Sequence, residues 1–221
     1  MESGGDADGH KGDVRMIAII DYGVGNLFSL CSSLRRIGAE AVVTADPEVI
    51  RSAHKLILPG VGAFADAAQK LRDSGLDQLV KEEAARGKEI LGICLGMQLL
   101  FEESHEFGVH PGLGLLKGSV IGMEGTIPAG LKIPHIGWNA LRYCRESKLF
   151  RYVPEGECVY FVHSFYVDPA AESVVATAEY GREVTAAVQQ GNIMGCQFHP
   201  EKSGQVGLNI LRAFCETEET A

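Results

Sequence analysis

Long apolar runs are missing from this 221-residue chain. The most apolar stretch, Ile90 to Phe101, is interrupted by Gly92, Gly96 and Gln98. A membrane helix needs about 20 apolar residues, so none is expected. Basic charge is scarce as well. Twenty Lys and Arg stand against 29 Asp and Glu, a formal net charge of −9. Proteins that hold nucleic acid through its phosphates need the opposite balance, so that class is excluded. The six cysteines (31, 94, 144, 158, 196 and 215) form no C-x-x-C pair and no His/Cys spacing suited to zinc. No metal is therefore expected. A chain with a full core does not need disulfides, which points to a reduced, cytoplasmic setting. Five of the six cysteines are expected to serve packing alone.

The charge is uneven. Residues 1–15 carry a net −2 and residues 216–221 a net −3, which leaves −4 on the body. The first segment is rich in Gly and Asp, has no apolar periodicity and lacks the apolar stretch of a secretory signal. It is expected to be a disordered N-terminal tail. Residues 216–221 are expected to be an acidic C-terminal tail, and residues 16–215 one domain.

Within that domain, strand and helix patterns alternate over the first half. Strands are expected at 16–20, 41–43, 55–58 and 90–93, with helices at 27–37, 63–72 and 76–86. Short strands dominate the second half, at 116–121, 131–136, 157–162, 173–178, 184–189 and 193–197, before a last helix over 205–215. The alternation predicts an α/β fold, a mostly parallel sheet with helices on both faces.

Gly92-Ile-Cys94-Leu-Gly96 follows strand character and precedes helix character. This is a cysteine version of the nucleophile elbow. Small flanking residues let the chain turn back sharply, and the turn puts the sulfur at a helix N-terminus, which favours thiolate. The Leu95 N–H would face an oxyanion formed beside the sulfur. By the commoner reading, Cys94 is an inert buried cysteine, so the elbow needs a base.

His199 supplies a candidate. It lies in Gly195-Cys-Gln-Phe-His-Pro-Glu201, just past an apolar strand. Pro200 disfavours helix at His199, and two-residue alternation then puts His199 and Glu201 on one side. Glu201 is thus placed to orient the imidazole. Alone, a strand-end histidine beside an acid is more often structural than catalytic.

Two glycine clusters suggest a rival chemistry and fail. Gly23-x-Gly25 lacks the third glycine of a dinucleotide fingerprint, since position 28 is Phe, and Gly112-x-Gly114 opens no helix. No cofactor is expected.

G-x-C-x-G with Gln98 four residues on, and His-Pro-Glu 105 residues after the cysteine, resembles the class I glutamine amidotransferases. The resemblance covers Met16 to Cys215 and implies a flavodoxin-like α/β fold with Cys94 as nucleophile, His199 as base and Glu201 as orienter. Asp21-Tyr-Gly-x-Gly-Asn26 and Pro134-His-Ile-Gly-Trp-Asn139 narrow it to the amidotransferase subunits of imidazole glycerol phosphate synthases. Pro59-Gly-Val-Gly62, Tyr160-Phe-Val-His163 and His199-Pro-Glu-Lys-Ser203 fit the same group.

By the same resemblance, the chain would hydrolyse glutamine and pass ammonia to a cyclase partner. Val61 and Gly62 would join Leu95 in the oxyanion hole. Gly62, Gln98, Glu106, His163, Ser164 and Phe165 would hold glutamine, and Asn26, Trp138, Tyr160 and Lys202 would meet the cyclase. Glycine tolerance of either sign of φ would let the Gly60–Gly62 loop flip its peptides. The alternatives are an amidotransferase for anthranilate or pyridoxal phosphate synthase, or a non-catalytic relative.

Overall fold

A computed structural model describes residues 15–216. The expectation of a disordered segment over 1–15 falls, but for Arg15, outside the described residues, as does that for 217–221. Glu216 is held against the body: its backbone carbonyl accepts from the Lys55 ammonium at 2.7 Å, and its carboxylate accepts from the Tyr152 hydroxyl.

In chain order the first half reads β1 (Ile17–Ile20), α1 (Leu27–Arg36), β2 (Ala41–Thr44), α2 (Pro47–Ser52), β3 (Lys55–Leu58), α3 (Phe64–Asp73), α4 (Leu76–Ala85), β4 (Glu89–Ile93) and α5 (Leu95–Leu99). Then follow β5 (Phe101–Ser104), β6 (His110–Pro111), β7 (Leu116–Gly122), β8 (His135–Ala140), β9 (Arg142–Tyr143), β10 (Cys158–His163) and β11 (Phe165–Pro169). The chain closes with β12 (Val174–Glu179), β13 (Glu183–Gln190), β14 (Ile193–Cys196) and α6 (Gly204–Cys215).

Eight strands form the main sheet in the order β2-β1-β3-β4-β14-β13-β12-β9. The first five are parallel and the last three run antiparallel to their neighbours. The expected α/β class and mostly parallel sheet are what is found. β1, β3 and β14 are buried along their whole length. Burial on both faces explains their nearly unbroken apolar composition. Successive side chains feed opposite cores. Ala18 and Ile20 join Ile50, α3 and α4 on one face; Ile17 and Ile19 join α1 and α6 on the other. Two smaller sheets, β11-β7-β5-β6 and β10-β8, stand beside the main one.

Several expectations need correction. The strand expected at 131–136 is displaced to His135–Ala140. Pro134 has no N–H for a ladder, so pairing starts after it. Helix α2 was missed, although Asp46 caps it by accepting from the Glu48 N–H at 2.9 Å and Pro47 opens it. Strands β5, β6, β9 and β11 were also missed. All six cysteines are free thiols, but Cys144 and Cys158 are exposed, so five packing cysteines is not the pattern found.

Candidate active site

Parallel strands deliver their C-terminal loops to the same edge of a sheet, where α/β proteins place their sites. Here β3 is followed by Pro59–Gly62, β4 by Cys94, and β14 by Gln197–Glu201. β4 lies between β3 and β14. Residues distant in sequence therefore meet at one edge.

Cys94 has φ +54° and ψ −113°, a left-handed backbone that a side chain rarely adopts. Its N–H donates to the Cys196 carbonyl at 2.8 Å, which ties the bend to the end of β14. Both flanking glycines are required. A Cβ on Gly96 would sit 1.8 Å from the Leu58 carbonyl oxygen, and one on Gly92 would sit 2.7 Å from the backbone of Gly96 and Met97. Helix α5 is only five residues long, so the field at the sulfur comes from one turn of free N–H groups, starting with Leu95.

His199 is buried, and its Nδ1 faces Glu201 Oε1 at 2.8 Å. Its backbone is clamped: the N–H donates to the Tyr160 carbonyl at 2.9 Å, and its carbonyl accepts from Ser203 Oγ at 2.7 Å. The His–Glu contact was expected from strand alternation, but the reason differs. His199 is extended, at φ −101° and ψ 98°, whereas Glu201 lies in a single 3₁₀ turn over Pro200–Lys202. The turn, not a strand, brings the carboxylate back to the ring. Burial would lower the His199 pKa. The hydrogen-bonding Cys94 side chain and Glu201 carboxylate outweigh it and raise the value to about 9. Glu201 Oε2 is buried with no hydrogen-bond partner.

A cavity of about 300 Å³ opens onto these groups. It is lined by Val61, Gly62, Cys94, Leu95, Gln98, Glu106, His163, Ser164, Phe165, His199 and Lys202, among others. Every expected oxyanion and glutamine-contact residue is thus on its wall. Their local roles are sharper than the sequence implies. Glu106 Oε2 accepts from the Phe64 N–H at 2.8 Å, capping α3, whose own N-cap Ala63 has no side-chain acceptor. Gln98 Nε2 donates to the Phe165 carbonyl at 3.1 Å and to Gln197 Oε1 at 3.0 Å. The His163 ring faces the Phe165 carbonyl through Nδ1 at 2.8 Å and His135 through Nε2 at 3.1 Å. Burial, with smaller contributions from His135 and His199, outweighs the Phe165 carbonyl and lowers its pKa to about 3, so this ring is neutral.

The Gly60–Gly62 loop is not uniformly free. A Cβ on Gly60 would come within 3.0 Å of Gly96 N, Leu95 Cβ and the Tyr22 hydroxyl, and that hydroxyl donates to the Pro59 carbonyl at 2.6 Å. Gly62, at φ +97°, has open space around it. Gly60 is thus closely packed, and the room in this loop lies at Gly62.

Of the expected partner residues, Lys202 lines the cavity and, with Tyr160 and Trp138, forms a cluster next to it. Trp138 is 54% exposed, which removes a core-packing role, and its ring meets Tyr160 edge-on at 5.9 Å. The Lys202 ammonium lies 5.9 Å from the Tyr160 ring centroid. Asn26 is half-buried and precedes α1, where Phe28 is 84% exposed. Among the described residues no cluster of His, Cys, Asp or Glu is suited to a metal, and no helix is long and apolar enough to cross a membrane.

The sequence reading missed Gln197. This side chain is fully buried, and its Nε2 lies 3.6 Å from Cys94 Sγ. The available signal was a polar residue in an otherwise apolar strand end, two positions before His199.

The glutamine amidotransferase class-I family matches residues 18–217. The imidazole glycerol phosphate synthase subunit HisH of Moorella thermoacetica is 52% identical over 204 residues, 92% of this chain and 95% of its own. That of Bacillus subtilis is 48% identical over 202 residues, 90% of this chain and 95% of its own. Among solved structures, a glutamine amidotransferase matches with a TM-score of 0.70 at 21% identity, covering 90% of this chain and 96% of its own. PurLQS from Thermotoga maritima matches with a TM-score of 0.70 at 23% identity, over the same shares. At that identity these two speak to the fold alone. The chain belongs to the class-I glutamine amidotransferase family, and within it to the HisH subunits of imidazole glycerol phosphate synthase.

Proposed function

We propose that the chain is the cytoplasmic glutaminase subunit of an imidazole glycerol phosphate synthase, in histidine biosynthesis. It hydrolyses glutamine and hands the ammonia to a cyclase subunit, HisF, which converts the phosphoribulosyl substrate PRFAR to imidazole glycerol phosphate and AICAR. The observation that carries this reading is a cysteine on a strained elbow facing a buried His–Glu pair across one cavity.

The Cys94 thiolate attacks the side-chain carboxamide carbon of glutamine. The oxyanion is held by the Leu95 N–H and by donors from Val61 and Gly62. Losing a single such donor typically costs on the order of 10²–10³ in rate. His199, protonated through its contacts with Cys94 and Glu201, gives its proton to nitrogen as the C–N bond breaks. Ammonia departs and leaves a thioester on Cys94. The now neutral His199 takes a proton from water, whose oxygen attacks the thioester carbon. Glutamate leaves and the thiolate returns. Gln98, Glu106 and the 163–165 segment hold the amino-acid end of glutamine.

Ammonia set free in neutral water becomes ammonium, which has no lone pair to react. The product is therefore useful only to a docked synthase reached by a dry path. Trp138, Tyr160 and Lys202, clustered next to the cavity, supply the docking face together with Asn26. The test is glutaminase activity of the chain with and without a cyclase barrel carrying its phosphoribulosyl ligand. Strong stimulation by the loaded barrel is expected. Activity indifferent to it would overturn the assignment, and capture of an anthranilate or pyridoxal phosphate synthase instead would redirect it.

A further inference from the structure

We propose that Gln197 is a second hydrogen-bond donor to the nucleophile, stabilising and aiming the Cys94 thiolate from the side away from solvent. This rests on Cys94 being the nucleophile.

The argument begins with a buried amide. Gln197 has no solvent exposure, so both ends of its side chain need partners inside the protein. One end is the Nε2, 3.6 Å from Cys94 Sγ, and the other is Oε1, which accepts from Gln98 Nε2 at 3.0 Å. Which end faces the sulfur follows from a fixed point. Gln98 also donates to the Phe165 backbone carbonyl at 3.1 Å. A carbonyl can only accept, so Gln98 must present its NH₂ to that corner. The Gln197 atom facing the same NH₂ must then be the oxygen, and its own NH₂ is left for the sulfur. One backbone carbonyl orients both amides. The Gln197 main chain is equally fixed, its N–H donating to the Ala186 carbonyl at 2.8 Å.

Such a donor discriminates between the two states of the cysteine. An N–H held against a neutral thiol gains little, whereas against a thiolate the bond is charge-assisted and about twice as strong. His199, the other polar partner of Cys94, changes protonation during the reaction and cannot hold the sulfur charge throughout. Gln197 does not titrate, so its hydrogen bond is available both when the thiolate attacks and when it leaves the thioester. Two donors on one sulfur also fix its rotamer, which the strained backbone alone does not.

The test is the pH dependence of iodoacetamide alkylation at Cys94 in the full chain, read by peptide mass spectrometry so that the other five cysteines do not interfere. Gln197→Met keeps the side-chain length and removes the donor. Gln197→Glu keeps the shape and puts a carboxylate beside the sulfur. The alkylation midpoint is expected to rise by about one pH unit in Gln197→Met and further in Gln197→Glu, with Gln98→Met, which only frees the anchor, moving it less. With the loaded cyclase present, kcat should fall about tenfold in Gln197→Met while KM changes less than about threefold. Unmoved midpoints in the folded variants would overturn the proposal and leave Gln197 a packing residue, even if kcat fell. If Gln197→Met does not fold, Gln197→Glu and Gln98→Met carry the decision. Alkylation needs no glutamine and no partner, so a failure of the glutaminase assignment would appear separately, as absent turnover in the wild-type complex.

Discussion

Cys94 is held in a conformation that costs of order 1–3 kcal/mol, which the surrounding packing must offset. If the sulfur is the nucleophile, Cys94→Ala should lower glutamine-dependent synthesis at least 10³-fold. Synthesis from added ammonium salt at high pH should survive in the complex, because the cyclase is untouched, and comparing the two assays separates lost chemistry from lost assembly. The His199 pKa of about 9 sets a pH dependence. It is raised above the ordinary histidine value near 6.5, so the stabilisation from the charged ring is full below about 6.5 and is lost as pH rises through about 9. The proton for departing ammonia is available over that same range. kcat is expected to hold through neutrality and fall with an apparent pKa near 9. Glu201→Gln removes the carboxylate that favours the charged ring, so the alkaline limb should move toward neutral pH. A limb that stays in place would show that Glu201 does not act through His199.

Elements decide whether those residues can meet. The elbow depends on backbone contact between α5 and the end of β3, where Gly96 leaves no room for a Cβ against the Leu58 carbonyl. The obstacle is main chain rather than a flexible side chain. Gly96→Ala should therefore lose about 3 kcal/mol, the upper range for overpacking, in a denaturant titration. Gly122 is a contrast on β7: a Cβ there meets nothing closer than Phe165 ring carbons at 3.5 and 3.8 Å and the Glu124 N at 3.9 Å, all ordinary contacts, so Gly122→Ala should cost under about 1 kcal/mol. The elements differ in how plainly the sequence announces them. β1, β3 and β4 are apolar runs between turn residues and read directly. β9 has two residues and exists only by pairing with Ala176 and Thr177, so nothing local marks it. β5 and β11 take their identity from β7 in the same way.

At the scale of the whole molecule, the acidic net charge says little about the site, because most of the excess lies near the two ends of the chain. The surface proposed to meet the cyclase is the aromatic and basic cluster of Trp138, Tyr160 and Lys202. β8 and β10 place Trp138 directly opposite Tyr160 in their ladder, and Lys202 follows Glu201. Docking on this face would seal the mouth and act on the site through Lys202. A large exposed aromatic at an interface centre commonly carries 2 kcal/mol or more of binding energy. Trp138→Ala should thus weaken cyclase binding about 30-fold or more by calorimetry. Unchanged affinity would move the interface elsewhere.

Apart from the 3₁₀ turn that brings Glu201 back to His199, the strand-to-helix elbow at Cys94 and the His–Glu contact were legible from the sequence as local patterns with local steric causes. So was the α/β alternation, which follows from side-chain periodicity. What the sequence could not show was the meeting of Cys94 with His199. That depends on β4 and β14 being parallel neighbours, with Ile93 in register with Cys196, so that the next residues of both strands emerge side by side. Gln197 was hidden for the same reason. Its importance is a distance to a sulfur on another strand, and only the packed sheet sets that distance.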